Sequence, residues 1–140
     1  MKKYKAKRKG FIHILILFFG LIPIIVYLIG RYEFNARPFF LLPLLIPIAV
    51  ILWIYFDTYY GIQDNYLFYR SAFLRGKIDI HKIREIQQNK TLWSGIKPAL
   101  SKNGLIIKFN KYDEVYIAPD DNEKMVNDLI SINPNIQVSK

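Results

Sequence analysis

Two long apolar runs lie close together in the first half of the chain. Residues 11–30 and residues 38–56 contain no Asp, Glu, Lys or Arg, and only residues 31–37 separate them. Runs of this length match a helix that crosses roughly 30 Å of hydrocarbon. The pattern therefore predicts two transmembrane helices, 11–30 and 38–56, joined by a short outer loop.

After residue 56 the apolar residues follow the shorter period of β-strands. Tyr60 and Ile62 alternate with other residues, as do Tyr66 and Phe68, and the turn-forming residues 63–65 separate the two pairs, which predicts a β-hairpin. The same alternation predicts further strands in residues 73–80, with a bend at Arg75 and Gly76, and in residues 84–88, 105–109 and 115–117.

The last part of the soluble region has the pattern of a single helix. Asp120 can cap the helix, and Glu123, three residues later, can return the hydrogen bond. An apolar stripe follows at helical spacing, and Pro134 ends it. The stripe consists of Met125, Val126, Leu129 and Ile130. We expect this helix to cover one face or open end of the sheet.

The charges divide the chain into three regions. Six of the 20 basic residues lie in residues 1–10, whereas residues 57–140 hold 12 basic and 10 acidic residues. Because basic residues are retained on the cytoplasmic side of a membrane, both termini are expected in the cytoplasm. We expect a basic N-terminus (1–10), a transmembrane hairpin (11–56) and one cytoplasmic domain (57–140).

The basic N-terminal segment is the first candidate for contact with lipid. We expect it to be mobile and to lie against anionic head groups, unless its charge serves membrane topology alone. Its basic residues are Lys2, Lys3, Lys5, Lys7, Arg8 and Lys9. The near balance of charge in residues 57–140 argues against a nucleic-acid partner, which usually requires a concentrated basic patch.

Residues for catalysis or for binding a cofactor or metal are missing from the sequence. The chain has no Cys and only two His, and its seven Gly never form a phosphate-binding loop. The acidic residues around position 121 are explained by helix capping. We therefore expect a protein that is not an enzyme, with no catalytic, cofactor-binding or metal-binding residues.

Four segments of the soluble region resemble the bacterial pleckstrin-homology (PH)-like domains, in particular the YyaB-like PH domain family. They are residues 59–67 (YYGIQDNYL), 77–86 (KIDIHKIREI), 98–105 (PALSKNGL) and 117–120 (IAPD). The resemblance covers about residues 57–137, and such proteins often carry two upstream transmembrane helices. It implies a bent, barrel-like sheet of about seven strands capped by a C-terminal helix, in a largely uncharacterised family.

The resemblance also directs attention to binding residues. Eukaryotic relatives of the fold often bind phosphoinositides through a basic first hairpin loop, but here that loop contains Asp64. Arg70, Arg75 and Lys77, around the next bend, are the alternative candidates for a head-group contact, or they are simply solvated. Trp93 either inserts into the membrane interface or contacts a protein partner; alternatively, it folds back onto its own domain.

These observations favour a non-catalytic, membrane-anchored module. Its PH-like domain would present a cytoplasmic surface to a protein partner or to the inner leaflet. The alternative is a small membrane regulator or a protective, immunity-type protein that acts through the transmembrane hairpin. A transporter or channel subunit would need polar residues along a path, and the two apolar runs lack them.

Overall fold

The computed structural model describes residues 1–140 and contains four α-helices and eight β-strands. In chain order the elements are β1 (Lys2–Lys5), α1 (Phe11–Ile29), α2 (Arg31–Ala36), α3 (Leu42–Asp57), β2 (Tyr59–Gln63), β3 (Tyr66–Ser71), β4 (Leu74–Asp79), β5 (Ile83–Lys90), β6 (Gly104–Phe109), β7 (Asp113–Ile117), α4 (Asn122–Ile132) and β8 (Gln137–Ser139). Short 3-10 turns precede α3 and β5.

Helices α1 and α3 pack against each other as a hairpin with a strongly apolar surface. The stretches Phe11–Ile29 and Pro38–Asp57 have mean hydropathies of 2.8 and 2.6, and both are long and apolar enough to cross a membrane. Most of their large side chains are exposed, whereas the core helix of a soluble protein would bury them. The loop between them is largely the short helix α2.

The strands form two four-stranded sheets. This agrees with the predicted PH-like, sheet-rich fold, although the number of strands and the closure of the sheet differ from the prediction. The first has the order β1-β2-β3-β4, and the second has the order β7-β6-β5-β8. All neighbours are antiparallel except β5 and β8. The expectation of about seven strands is exceeded by one, and the sheets are open rather than closed into one barrel.

The strands β1 and β8 lie outside the predicted segments, and β1 corrects the expectation of a mobile N-terminal segment. Its residues pair with β2 in antiparallel register from Lys2 opposite Ile62 to Lys5 opposite Tyr59. Beyond β1, the amide of Lys7 donates to the carbonyl oxygen of Ala118 at 2.8 Å. The segment is therefore part of the folded domain, because Tyr4 and Ala6 alternate with its lysines and are buried.

The core lies between the two sheets and is covered by α4. Met125, Val126 and Leu129 of the predicted stripe are buried, and Ile130 packs against the same core. Asp121 rather than Asp120 caps the helix, by accepting a hydrogen bond from the amide of Lys124 at 2.9 Å. The Asp120 amide donates to the carbonyl oxygen of Lys5 at 2.9 Å, so it is not free for the hydrogen bond expected from Glu123.

The bend predicted at Arg75 and Gly76 within residues 73–80 is absent, because both residues lie inside β4, and the tight turn lies before them at Ala72 and Phe73. Ser71 pairs with Leu74, and Ala72 has a φ of 49°. Gly76 lies inside β4, where a Cβ atom would collide with the ring of Tyr69. The glycine thus makes room for an aromatic ring and does not form a turn.

Candidate basic and aromatic sheet face

The outer face of the first sheet gathers five of the ten predicted contact residues. Residues directly opposite each other in neighbouring strands share a face. The inner face is apolar and buried, with Tyr4, Tyr60, Leu67 and Ile78. The opposite side, which we call the basic face, carries Lys3 and Lys5 of β1, Tyr59 of β2, Phe68 and Arg70 of β3, and Arg75 and Lys77 of β4.

The basic face is organised as two rows that run across the four strands. One row is Lys5, Tyr59, Arg70 and Arg75, and the next is Lys3, Gly61, Phe68 and Lys77. Neighbouring strands are about 4.8 Å apart, so each row spans roughly 14 Å. Five cations from three strands therefore lie within one small patch.

Aromatic rings lie beneath several of these cations. The Lys3 ammonium is 5.3 Å from the centre of the Tyr59 ring, and the Arg70 guanidinium is 6.0 Å from the same ring. The Lys77 ammonium is 5.1 Å from the ring of Tyr66. Such contacts orient the long side chains while leaving their charged ends accessible.

Most of the positive charge on the basic face is not neutralised within the protein. Arg70 donates to the Asp57 carboxylate at 2.8 Å, and this hydrogen bond, followed by one with Tyr59, raises the pKa of Arg70. The remaining four cations form no salt bridge, and the other acid on this face, Asp79, lies at the far end of β4. The surface therefore attracts anions.

A shallow groove of about 460 Å³ runs along this face. The rings of Tyr59 and Phe68 form part of its lining, together with Arg70, Arg75 and Lys77. The Met1 side chain borders the groove and lies over Gly61, where a Cβ atom would be 2.7 Å from its sulfur. The groove thus combines an apolar aromatic lining with three cations.

The basic face lies directly beside the end of α3. Thr58 is the single residue between α3 and β2, and its hydroxyl donates to the carbonyl oxygen of Ile54 at 2.6 Å. The Ser71 hydroxyl, at the end of β3, is 2.8 Å from that of Thr58. The turn beyond Ser71 exposes 69% of the Phe73 side chain at the same end of the sheet.

The irregular loop 91–102 occupies the corresponding position beside α1. Leu92, Ala99 and Leu100 line a cleft together with Phe11 and Leu15 of that helix. Trp93 is 85% exposed, which excludes the alternative in which it folds back onto its own domain. The loop is held by the Tyr116 hydroxyl, which donates to the carbonyl oxygen of Ser101 at 2.7 Å.

The remaining predicted contact residues fall outside the basic face. The Lys2 ammonium forms a salt bridge with Asp128 of α4 at 2.6 Å. The Arg8 guanidinium lies 5.0 Å from the centre of the Tyr55 ring. Lys7, Arg8 and Lys9 belong to the link between β1 and α1. These side chains lie at the base of the hairpin or against α4.

Two aromatic residues of the basic face, Tyr59 and Phe68, were not among the predicted contact residues. The alternation was a sufficient signal for Tyr59, which is next to the buried Tyr60 and therefore faces the other way. For Phe68 it was misleading, because Leu67 and not Phe68 is the buried residue. The chemistry of the face is electrostatic and apolar: no group of three or more His, Cys, Asp or Glu side chains is placed to hold a metal ion. The arrangement of cations and rings can bind an anion. It does not pair a nucleophilic side chain with a general base.

Comparison with known proteins identifies relatives of the chain. A family model described as a bacterial PH domain matches residues 58–133. The chain is also 24% identical over 138 residues to the "Uncharacterized protein YyaB" of Bacillus subtilis (strain 168), with 95% of this chain and 94% of that protein covered. No solved structure matches. The predicted resemblance is therefore confirmed, and the similarity extends beyond the sheets into the apolar hairpin.

Proposed function

The chain belongs to the bacterial PH domain family, and from this premise we propose that it is a non-catalytic PH-domain protein anchored in the cell membrane. The hairpin of α1 and α3 crosses the bilayer, and the two sheets lie on its cytoplasmic side. The domain presents the basic face as an interaction surface to the inner leaflet or to a protein partner.

The junction between hairpin and domain carries this proposal. Ile12 of α1 is part of the domain core, and Ile51, Ile54 and Tyr55 of α3 pack against that core. Thr58 alone separates α3 from β2. A flexible tether would let the domain turn freely, whereas this junction fixes one end of the first sheet against the membrane surface.

The orientation of the hairpin follows from its flanking charges. Basic residues are concentrated in the N-terminal segment and in the domain, and only Arg31 and Arg37 lie in the connection between the helices. The positive-inside rule therefore favours a cytoplasmic domain and an outward-facing connection. The pairing of β1 with β2 in one sheet supports an arrangement in which both ends of the hairpin lie on the same side.

Labelling of single cysteines tests this topology, because the natural chain has no Cys. We expect an impermeant maleimide to modify the Ala36→Cys variant in intact cells and the Lys140→Cys variant only after permeabilisation. The unmodified chain is the control for background labelling. Modification of position 140 in intact cells, with protection of position 36, would invert the topology and refute a cytoplasmic domain.

A further inference from the structure

We propose that the basic face binds the phosphate-bearing head group of an anionic phospholipid in the leaflet around the hairpin. This inference rests on the proposed function and adds the chemical class of its partner. The first point in its favour is charge: Lys3, Lys5, Arg75 and Lys77 form no salt bridge within the protein. An anionic head group supplies the missing negative charge.

The second point is the short distance between the basic face and the membrane. Two residues of chain reach at most about 7 Å, so Tyr59 lies within that distance of Asp57, the last residue of α3. The head-group region is roughly 5 to 8 Å thick on each side of the hydrocarbon. The row of Lys5, Tyr59, Arg70 and Arg75 therefore lies at head-group level.

The third point is the pair of exposed aromatic side chains on either side of the hairpin. Phe73 extends from the turn next to α3, and Trp93 extends from the loop that contacts α1. Aromatic side chains of this kind favour the interface between hydrocarbon and water. A protein partner would explain the cations equally well, but it would not explain why both aromatic side chains lie at the membrane end of the domain.

The geometry also separates this site from the first hairpin loop. Asp64 and Asn65 form the turn between β2 and β3, four or more residues along β2 from the row that contains Tyr59. At about 3.3 Å per residue, this turn lies more than roughly 13 Å farther from α3. Its position therefore keeps it away from the head groups, in agreement with its negative charge.

Lipid retention by the full-length protein tests the inference. The protein is reconstituted in nanodiscs that contain equal amounts of phosphatidylcholine and phosphatidylglycerol, re-extracted in mild detergent, and its bound lipids are measured by mass spectrometry. The test variant is Arg75→Gln/Lys77→Gln, since both side chains are exposed and neither forms a salt bridge. The matched control is Lys82→Gln/Lys111→Gln, which removes the same charge from two exposed residues in the turns after β4 and β6, at the other end of these strands from α3.

We expect the natural chain and the control to retain phosphatidylglycerol preferentially, and the test variant to lose this preference about fivefold or more. Equal unfolding midpoints of the two variants show that both remain folded. Preferential retention by the test variant equal to that of the control would overturn the inference, and an acidic protein surface would then be the better candidate. The cysteine labelling is independent of this result, so a failed lipid site and a wrong topology are distinguishable.

Discussion

At the scale of single residues, Tyr60 is a buried polar side chain that joins the first sheet to the rest of the domain. It is fully buried, and its hydroxyl donates to the carbonyl oxygen of Pro98 at 2.7 Å and accepts from the amide of Ala118 at 3.1 Å. Burial raises the pKa of Tyr60, so the hydroxyl keeps its proton at physiological pH. One phenol therefore satisfies two buried backbone groups.

We predict that Tyr60→Phe lowers the free energy of unfolding by about 1 to 3 kcal/mol, because two buried polar groups lose their partner. Denaturant unfolding of the full-length protein in detergent measures the change. The control is Tyr112→Phe, whose side chain is 84% exposed, and it should change stability by less than about 0.5 kcal/mol. Equal stability of the two variants would show that the hydroxyl of Tyr60 is unimportant.

At the scale of elements, β1 is the strand that connects the first sheet to α4. The Tyr4 hydroxyl donates to the carboxylate of Asp128, which also pairs with Lys2. The hydrogen bond from Lys2, followed by that from Tyr4, lowers the pKa of Asp128. β1 is thus attached to β2 by its backbone and to α4 by its side chains.

We predict that Tyr4→Ala destabilises the protein by about 3 kcal/mol or more, since it removes a buried aromatic side chain. The adjacent Lys5→Ala change, at an exposed position, should cost less than about 0.5 kcal/mol. Unfolding in detergent gives both values, and amide hydrogen exchange of residues 2–5 should accelerate in the Tyr4 variant alone. Rapid exchange of these amides in the natural chain would contradict a folded β1.

Local patterns were sufficient to predict most elements of the domain. The alternation around Tyr60 and Tyr66 predicted the β2–β3 hairpin, and the stripe that includes Met125 and Leu129 predicted α4. Those segments bury one face each, so the sequence period reports their environment. The two apolar runs were equally clear, although the second helix begins at Leu42 after a 3-10 turn rather than at residue 38.

Elements that depend on distant partners were not predictable in this way. Residues 2–7 contain four lysines, and only Tyr4 and Ala6 indicate a buried side. β8 is three residues long and is held by parallel pairing with β5. The same limit applies to the basic face: Arg70, Arg75 and Lys77 were predicted as contacts, but pairing of β1 with β2 brings Lys3 and Lys5 to them.

At the scale of the whole molecule, the hairpin and the domain share one hydrophobic core. Ile12 is buried in it, and Ile16, Ile51 and Ile54 pack against it. The first sheet follows α3, and the loop that carries Trp93 contacts α1. A domain fixed at two points has one orientation relative to the hairpin, so each of its surfaces lies at a defined distance from α1 and α3.

The exposure of Trp93, in the loop that contacts α1, gives a prediction for fluorescence under the proposed membrane anchoring. In a Trp53→Phe background Trp93 is the remaining tryptophan. We expect lipids brominated near the head group to quench its emission more strongly than lipids brominated deep in the acyl chain, because aromatic side chains favour the interface. A distant reporter, Tyr112→Trp in a chain without Trp53 and Trp93, should not be quenched. If Trp93 is quenched no more than that reporter, the loop does not reach the membrane.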